Sequence, residues 1–183
     1  MTKETSQFLA TGLEAYDSGL RAMARFREEI CKGARGSMAR NLKQLAAATK
    51  LNLNDSEIKP FARPESFRKE VDEWNHQNCD IGVSLDAGRT DIRAALRWRQ
   101  EASDEVQRVV YVSFARLRVS SRKEILASAR KVEHDAVHEG GGKVWLEKPV
   151  TTANIAEFEG MLDELFLHWQ KVFQEAGGFP RRS

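Results

Sequence analysis

CDIGVSLD (Cys79–Asp86) and DIRAALRWR (Asp91–Arg99) are the two segments that decide the fold. In both segments, apolar and polar residues alternate along the chain. Because a β-strand sends successive side chains to opposite faces of its sheet, this period of two predicts two strands with one dry and one wet face. Gly88 between them suits a tight turn. The alternation therefore predicts a β-hairpin whose wet face carries arginines.

The register of this hairpin follows from its apolar residues. Pairing about the turn places Asp80 opposite Arg97 and Ser84 opposite Arg93, and it keeps apolar residues opposite one another on the other face. Residues 106–119 then read as a third strand that is apolar on both faces, which is typical of a strand in the middle of a sheet.

Helical periodicity precedes the strands. Apolar residues spaced three and four apart predict a helix over residues 5–31, and the pattern resumes after Gly33 and Gly36 to about residue 50. This region is therefore one long bent helix or a helical hairpin. The apolar residues of its first part nearly form heptads, a spacing that also suits a partner helix. They are Leu9, Leu13, Tyr16, Leu20, Met23 and Ile30.

Proline and polar residues divide this helical region from the strands. Pro60 and Pro64 predict a connector over residues 52–64, and helical spacing predicts a short helix at 65–75. After the third strand, the capping box that begins at Ser121 predicts a helix that ends near His138.

The C-terminal third contains one more strand and one more helix. Gly140–Gly142 is read as the stop of the preceding helix, residues 144–148 as a fourth strand, and residues 153–175 as a strongly periodic helix followed by a loose tail. We therefore expect an α+β fold in which helices pack on one face of a small antiparallel sheet of about four strands. A long N-terminal helix or helical hairpin precedes it, so that the expected domains are a helical arm at 1–55 and an α+β domain at 56–183, with one continuous domain as the alternative.

Composition narrows the class of protein. The chain has 183 residues, of which 41% are hydrophobic and 31% charged, and its net charge is +2, as in a soluble globular protein. Cys31 and Cys79 form no spaced motif, which favours a reducing compartment. The N-terminus has no signal-peptide pattern, and no apolar run could span a bilayer. We expect a cytoplasmic protein without a cofactor.

Positive charge is concentrated in residues 21–50. This range holds eight Lys and Arg against two Glu, so its net charge is +6. Basic helices bind phosphate backbones, and Arg35, Arg40 and Lys43 are the candidate residues for nucleic-acid contact. The competing interpretation, which the sequence favours, is a solvated face on a packed helix.

The wet face of the hairpin is a second candidate surface. Arg93, Arg97 and Arg99 lie along it, with Arg89 in the turn, and guanidinium groups arranged this way can bind the carboxylates or phosphates of a partner. Local pairing is the competing interpretation, because Asp80 is expected opposite Arg97.

His134 and His138 form a candidate metal pair. Spaced four apart on a predicted helix, they would share one face, as a zinc site of a hydrolase requires. No third ligand can be located, and two histidines in the last turn of a helix are also explained by the negative end of the helix dipole. The sequence favours this second interpretation.

The preferred hypothesis combines these patterns, since no residues form a recognisable catalytic set. We expect a non-enzymatic cytoplasmic interaction protein that self-associates through its N-terminal helices, forming a homo-oligomer. Its arginine-bearing sheet face would bind an anionic partner, with a protein favoured. The alternatives are a nucleic-acid-associated protein that uses residues 21–50 and a metal-dependent hydrolase that uses His134 and His138.

Overall fold

The computed structural model describes residues 3–53, 57–64, 79–100, 106–132 and 137–180. In chain order its elements are α1 (Lys3–Thr49), β1 (Ile58–Pro64), β2 (Cys79–Asp86), β3 (Asp91–Gln100), β4 (Val106–Ala115), α2 (Val119–Val132), β5 (Val137–Gly140), β6 (Lys143–Pro149) and α3 (Phe158–Glu175), with a 3-10 turn at Ile155–Glu157. Within these residues, six strands form one antiparallel sheet in the order β1-β2-β3-β4-β6-β5. The α+β class and the antiparallel sheet are confirmed, with six strands where about four were predicted.

The β2–β3 hairpin has the predicted register. Asp80 pairs with Arg97 and Ser84 with Arg93. Gly88 adopts a φ of +69°, in the left-handed region that favours glycine, and its backbone N–H donates to Asp86 Oδ1 at 2.7 Å. The alternation of apolar and polar residues was therefore sufficient to pair these two strands.

Strand β1 occupies the segment that was predicted to be a connector. Pro60 and Pro64 were taken as evidence against regular structure, yet both belong to the strand. Strand β1 lies at one edge of the sheet and pairs only with β2 in the strand order. Proline is tolerated there because an edge strand has backbone N–H groups that do not take part in the ladder. The short helix predicted at 65–75 lies outside the described residues.

Strand β5 corrects the prediction of a helix running to His138. Helix α2 ends at Val132, and His138 lies on β5, where it pairs with Trp145 of β6. Gly141 and Gly142 have φ values of +54° and +74°. Two consecutive positive φ angles make the tight turn that suits a two-residue hairpin. The glycine run therefore joins two strands instead of ending a helix.

Helix α1 is continuous through Gly33 and Gly36, so the long-helix alternative holds and the hairpin alternative does not. The glycines have a packing reason. A Cβ at Gly33 would lie 3.1 Å from Cγ of Glu159, and one at Gly36 would lie 3.3 Å from Nη1 of Arg40. They make room for the first turn of α3 against α1.

One face of the sheet carries the hydrophobic core. It packs against α3 and against α1 from Ile30 onward. At its centre, the ring of Phe114 on β4 lies 4.9 Å from that of Trp169, whose indole N–H donates to the backbone oxygen of Val112 at 3.0 Å. Phe179, in the segment predicted to be a loose tail, is buried, and its N–H donates to Thr49 O at the end of α1 at 2.7 Å.

Gly82 on β2 provides a test of how closely the central strands approach. A Cβ at this position would lie 2.2 Å from the backbone oxygen of Ala94 and 2.5 Å from Cβ of Ala95 on β3. We predict that Gly82→Ala lowers the free energy of unfolding by about 1–3 kcal/mol, because strands β2 and β3 must separate. Denaturant unfolding followed by circular dichroism measures this change.

Gly160→Ala is the matched control for this substitution. Gly160 lies in α3 with nothing within 4 Å of an added Cβ, so alanine should leave stability unchanged or raise it by up to about 1 kcal/mol. A Gly82→Ala protein as stable as the wild type would show that the two strands are not packed as described.

Candidate interaction surfaces

Helix α1 consists of two parts with different surroundings. Every residue from Thr5 to Glu29 is exposed, whereas from Ile30 onward one side of the helix is buried in the core. We call residues 5–29 the projecting segment. The sheet, α2, α3 and the remainder of α1 together are called the folded body. The helix therefore begins outside the folded body and ends inside it.

Large apolar side chains line one side of the projecting segment. We call them the apolar stripe, and the sequence analysis had found five of its seven members, missing Phe8 and Phe26 on its flank. Both could have been found as apolar residues adjoining the heptad positions. The seven members, with exposed fractions, are Phe8 (76%), Leu9 (54%), Leu13 (63%), Tyr16 (61%), Leu20 (42%), Met23 (58%) and Phe26 (39%).

The apolar stripe and the buried face of α1 lie on the same side of the helix. At 3.6 residues per turn, the spacing that joins Leu20 and Met23 continues to Ile30, Ala34 and Met38, which are buried. The junction is marked by Phe26, whose ring lies edge-on to Trp98 of β3 at 6.0 Å. One apolar face thus extends along α1, and the folded body covers it only from the junction onward.

Polar contacts fix the buried part of α1 against α3. Asp163 accepts hydrogen bonds from Ser37 Oγ at 2.6 Å, Asn41 Nδ2 at 2.8 Å and Arg40 Nη2 at 2.9 Å. Arg40 also pairs with Glu159 at 3.0 Å. Its hydrogen bond to Asp163, and to a smaller extent its hydrogen bond to Glu159, raise the pKa of the Arg40 guanidinium. These contacts hold the direction in which the projecting segment leaves the folded body.

Two of the three predicted nucleic-acid residues differ from Arg40 in their surroundings. Arg35 and Lys43 are exposed on α1, whereas Arg40 binds the two acidic side chains of α3. The three basic side chains therefore differ in their surroundings: Arg40 contributes to the packing of α1 on α3, although half of its side chain is exposed.

On the outer face of the sheet, three polar side chains form a buried cluster. Nε and Nη2 of Arg97 donate to the two carboxylate oxygens of Asp80 at 2.6 and 2.9 Å. Tyr111 Oη donates to Asp80 Oδ2 at 3.0 Å, and the guanidinium of Arg97 lies 4.2 Å from the centre of the Tyr111 ring. All three residues are less than 8% exposed. A buried charge is acceptable here because it is paired and hydrogen-bonded.

The other arginines of the predicted partner-binding set have separate surroundings. Arg89 Nη2 donates to the backbone oxygen of Pro180 at 2.6 Å, so it holds the C-terminal segment. Arg93 is half-buried, with its guanidinium 5.8 Å from the ring centre of Phe61 and 3.9 Å from a carboxylate oxygen of Asp91. Arg99 belongs to β3, and its side chain lies outside the described residues. The three arginines whose side chains are described, Arg89, Arg93 and Arg97, do not form one cationic cluster, because each has different partners.

Of the predicted histidine pair, His138 lies on a strand and not on the expected helix. His138 is exposed on β5, where its ring stacks on Trp145 at 5.5 Å and its Nε2 lies 3.8 Å from Glu147. His134 lies outside the described residues. Within the described ranges, no three His, Cys, Asp or Glu side chains come together in a way that could hold a metal ion.

The chain matches no protein-family model, no curated protein and no solved structure. None of the helices in the described part of the chain is long and apolar enough to cross a membrane. Among the described residues, the apolar stripe is the largest exposed apolar feature of the surface.

The buried cluster predicts a loss of stability at alkaline pH. Burial, and then the charge of Asp80, raise the pKa of Tyr111. The folded state thus favours the neutral phenol, and this stabilisation is complete below the pKa of an unfolded tyrosine, about 10, and is lost as the pH rises further. We predict that the free energy of unfolding falls above about pH 10 more steeply in the wild type than in Tyr111→Phe.

Tyr16→Phe, compared at a protein concentration at which the chain is monomeric, is the matched control, since Tyr16 is the exposed one of the two tyrosines within a single chain. It should keep the wild-type pH dependence, whereas Tyr111→Phe should also cost about 1.5–3 kcal/mol at neutral pH through the lost hydrogen bond to a carboxylate. Denaturant unfolding at a series of pH values measures both effects. Equal pH dependence in the wild type and Tyr111→Phe would contradict the description of the cluster.

Proposed function

We propose that this protein is a non-enzymatic interaction protein that self-associates through the apolar stripe of its projecting segment. The observation that carries this proposal is the uncovered continuation of the core face of α1. From Phe8 to Phe26 the helix exposes the same kind of side chains that it buries from Ile30 onward. A helix that is apolar on one side is stabilised when that side is covered.

The size of the stripe supports an interface. At about 200 Å² for a whole aromatic side chain, Phe8, Tyr16 and Phe26 alone expose roughly 350 Å². Monomeric proteins rarely expose contiguous apolar patches larger than a few hundred Å². With its four aliphatic members, the stripe approaches the scale of the roughly 800 Å² that each partner contributes to a standard interface.

Helix energetics support the same conclusion. Most of the stability of a protein helix comes from tertiary packing of its apolar side, because propensity alone holds isolated helices only marginally. Gly12 and Gly19 lie within the projecting segment, and each costs about 1 kcal/mol relative to alanine in a helix. A partner that packs on the stripe would supply the stabilisation that the folded body supplies to the rest of α1.

The second half of the hypothesis, an anionic partner for the sheet face, stays a prediction. Of the predicted residues, Arg97 is hydrogen-bonded to Asp80, and Arg89 is hydrogen-bonded to the C-terminal segment. Arg93 is therefore the described arginine best placed to contact such a partner. Nucleic-acid binding through Arg35 and Lys43 and a histidine-based hydrolase also stay predictions, and no contact among the described residues favours either.

Replacing a stripe leucine by a charged residue tests self-association. We predict that the wild type is a dimer or larger oligomer at micromolar concentration and that Leu20→Glu raises its dissociation constant roughly 100-fold, because each copy loses a buried leucine and must bury a charge instead. Sedimentation velocity over a range of concentrations measures this effect.

Ser18→Glu is the matched control, because Ser18 is exposed on the same segment but lies off the stripe. It adds the same charge two residues away and should leave the dissociation constant within about threefold of the wild type. A wild type that sediments as a monomer at all concentrations up to 100 micromolar, or equal weakening by both substitutions, would reject the proposal.

A further inference from the structure

We propose that the projecting segments of two copies pair antiparallel, with each segment running back along its partner toward the partner's folded body. This inference rests on the self-association proposed above and specifies its geometry. It depends on three features of the described residues: which side of α1 the folded body occupies, how long the projecting segment is, and how its charges are distributed.

The position of the folded body excludes a parallel, in-register pair. The folded body lies on the same side of α1 as the apolar stripe and begins at Ile30. In a parallel pair, the second helix would continue past the partner's residue 30 along that side. It would then meet the volume that the sheet and α3 already fill. In an antiparallel pair the N-terminal end of the second helix instead comes to the start of the folded body, and in the register given below Lys3, the first residue of α1, passes Ile30 by less than one turn.

The length of the segment fits this arrangement. If the pair is related by a two-fold axis near Ser18, residue 6 of one copy lies opposite Ile30 of the other. Three kinds of layer then form between the two helices, and each occurs twice. Leu9 of one copy lies opposite Arg27 of the other, Leu13 opposite Met23, and Tyr16 opposite Leu20, which are the alternating positions of an antiparallel coiled coil. A parallel pair would instead place Arg27 against Arg27 in the seam.

Charge favours the same direction. Residues 3–18 contain one Lys and three acids, a net charge of −2, and residues 19–30 contain three Arg and two Glu, a net charge of +1. Antiparallel pairing brings the acidic half of each copy beside the basic half of the other, whereas parallel pairing brings like halves together. Opposite net charges on facing segments favour the antiparallel direction over the parallel one.

The glycines of the segment fit between the helices. Gly12 and Gly19 lie beside the stripe at the position that Phe26 occupies one heptad later, and nothing lies within 4 Å of a Cβ at either glycine. In the antiparallel pair, Gly12 of one copy lies about 3 Å along the axis from the level of Phe26 of the other, so that a large side chain lies beside the smallest one. The two copies of Gly19 are likewise about 3 Å apart along the axis, close to the two-fold, which allows the backbones to approach.

Thiol cross-linking distinguishes the two directions. In a background with Cys31→Ser and Cys79→Ser, Leu13→Cys and Met23→Cys chains carrying tags of different size are co-expressed and treated with a short bismaleimide. The antiparallel register places residue 13 of one copy next to residue 23 of the other, while two residues 13 are separated by about 15 Å along the axis. We expect the Leu13→Cys/Met23→Cys heterodimer to cross-link at least tenfold more than either variant alone.

The outcomes separate this inference from the proposal on which it rests. Efficient cross-linking of Leu13→Cys with itself would show a parallel pair, and a dimer that cross-links in neither combination would show another register; both overturn the antiparallel inference and leave self-association standing. A wild-type chain that sediments as a monomer overturns both the antiparallel inference and the proposal of self-association. Cross-linking of the mixed pair that disappears when Leu20→Glu is added to both chains confirms that the stripe forms the contact.

Discussion

The structure depends on the covering of one continuous apolar face of α1. From Ile30 to the end of the helix, the sheet and α3 bury this face, and Asp163 of α3 fixes the contact with three hydrogen bonds from α1. Toward the N-terminus the same face continues without cover from the folded body. Because burial of apolar area is the dominant favourable term in folding and association, we propose that a second chain covers the exposed part of this face.

On the outer face of the sheet, Arg97 pairs with Asp80, which is the local pairing that the sequence analysis weighed against partner binding. A strand that alternates apolar residues with arginines indicates a wet, cationic surface. Yet Arg97 is buried against Asp80 and Tyr111, and its charge is neutralised within the fold. A buried, hydrogen-bonded pair of this kind is costly to break, so it fixes the relation of β2, β3 and β4 more than it provides a binding site.

Much of the fold could be predicted from short-range patterns. The period of two located β2 and β3, and matching apolar residues set their register, because a slip of one residue would have turned every apolar side chain outward.

Glycine was the weakest signal. Gly88 makes a turn, Gly33 makes room for Glu159, and Gly141 and Gly142 join β5 to β6. Only tertiary contacts distinguish these roles, and for that reason β5 was missed and the choice between one long helix and a helical hairpin was left open. The stripe could be found because heptad spacing is local, but its exposure could not, since that depends on where the folded body ends.

Hydrogen–deuterium exchange, resolved along α1 and measured at several protein concentrations, tests the central claim most directly. The account predicts that amides of residues 5–29 become more protected as concentration rises, while amides of residues 30–49 keep the same protection throughout, since the folded body covers them in every copy. Protection of the projecting segment that does not change with concentration, at either a high or a low level, would contradict the claim that a second copy covers the apolar stripe.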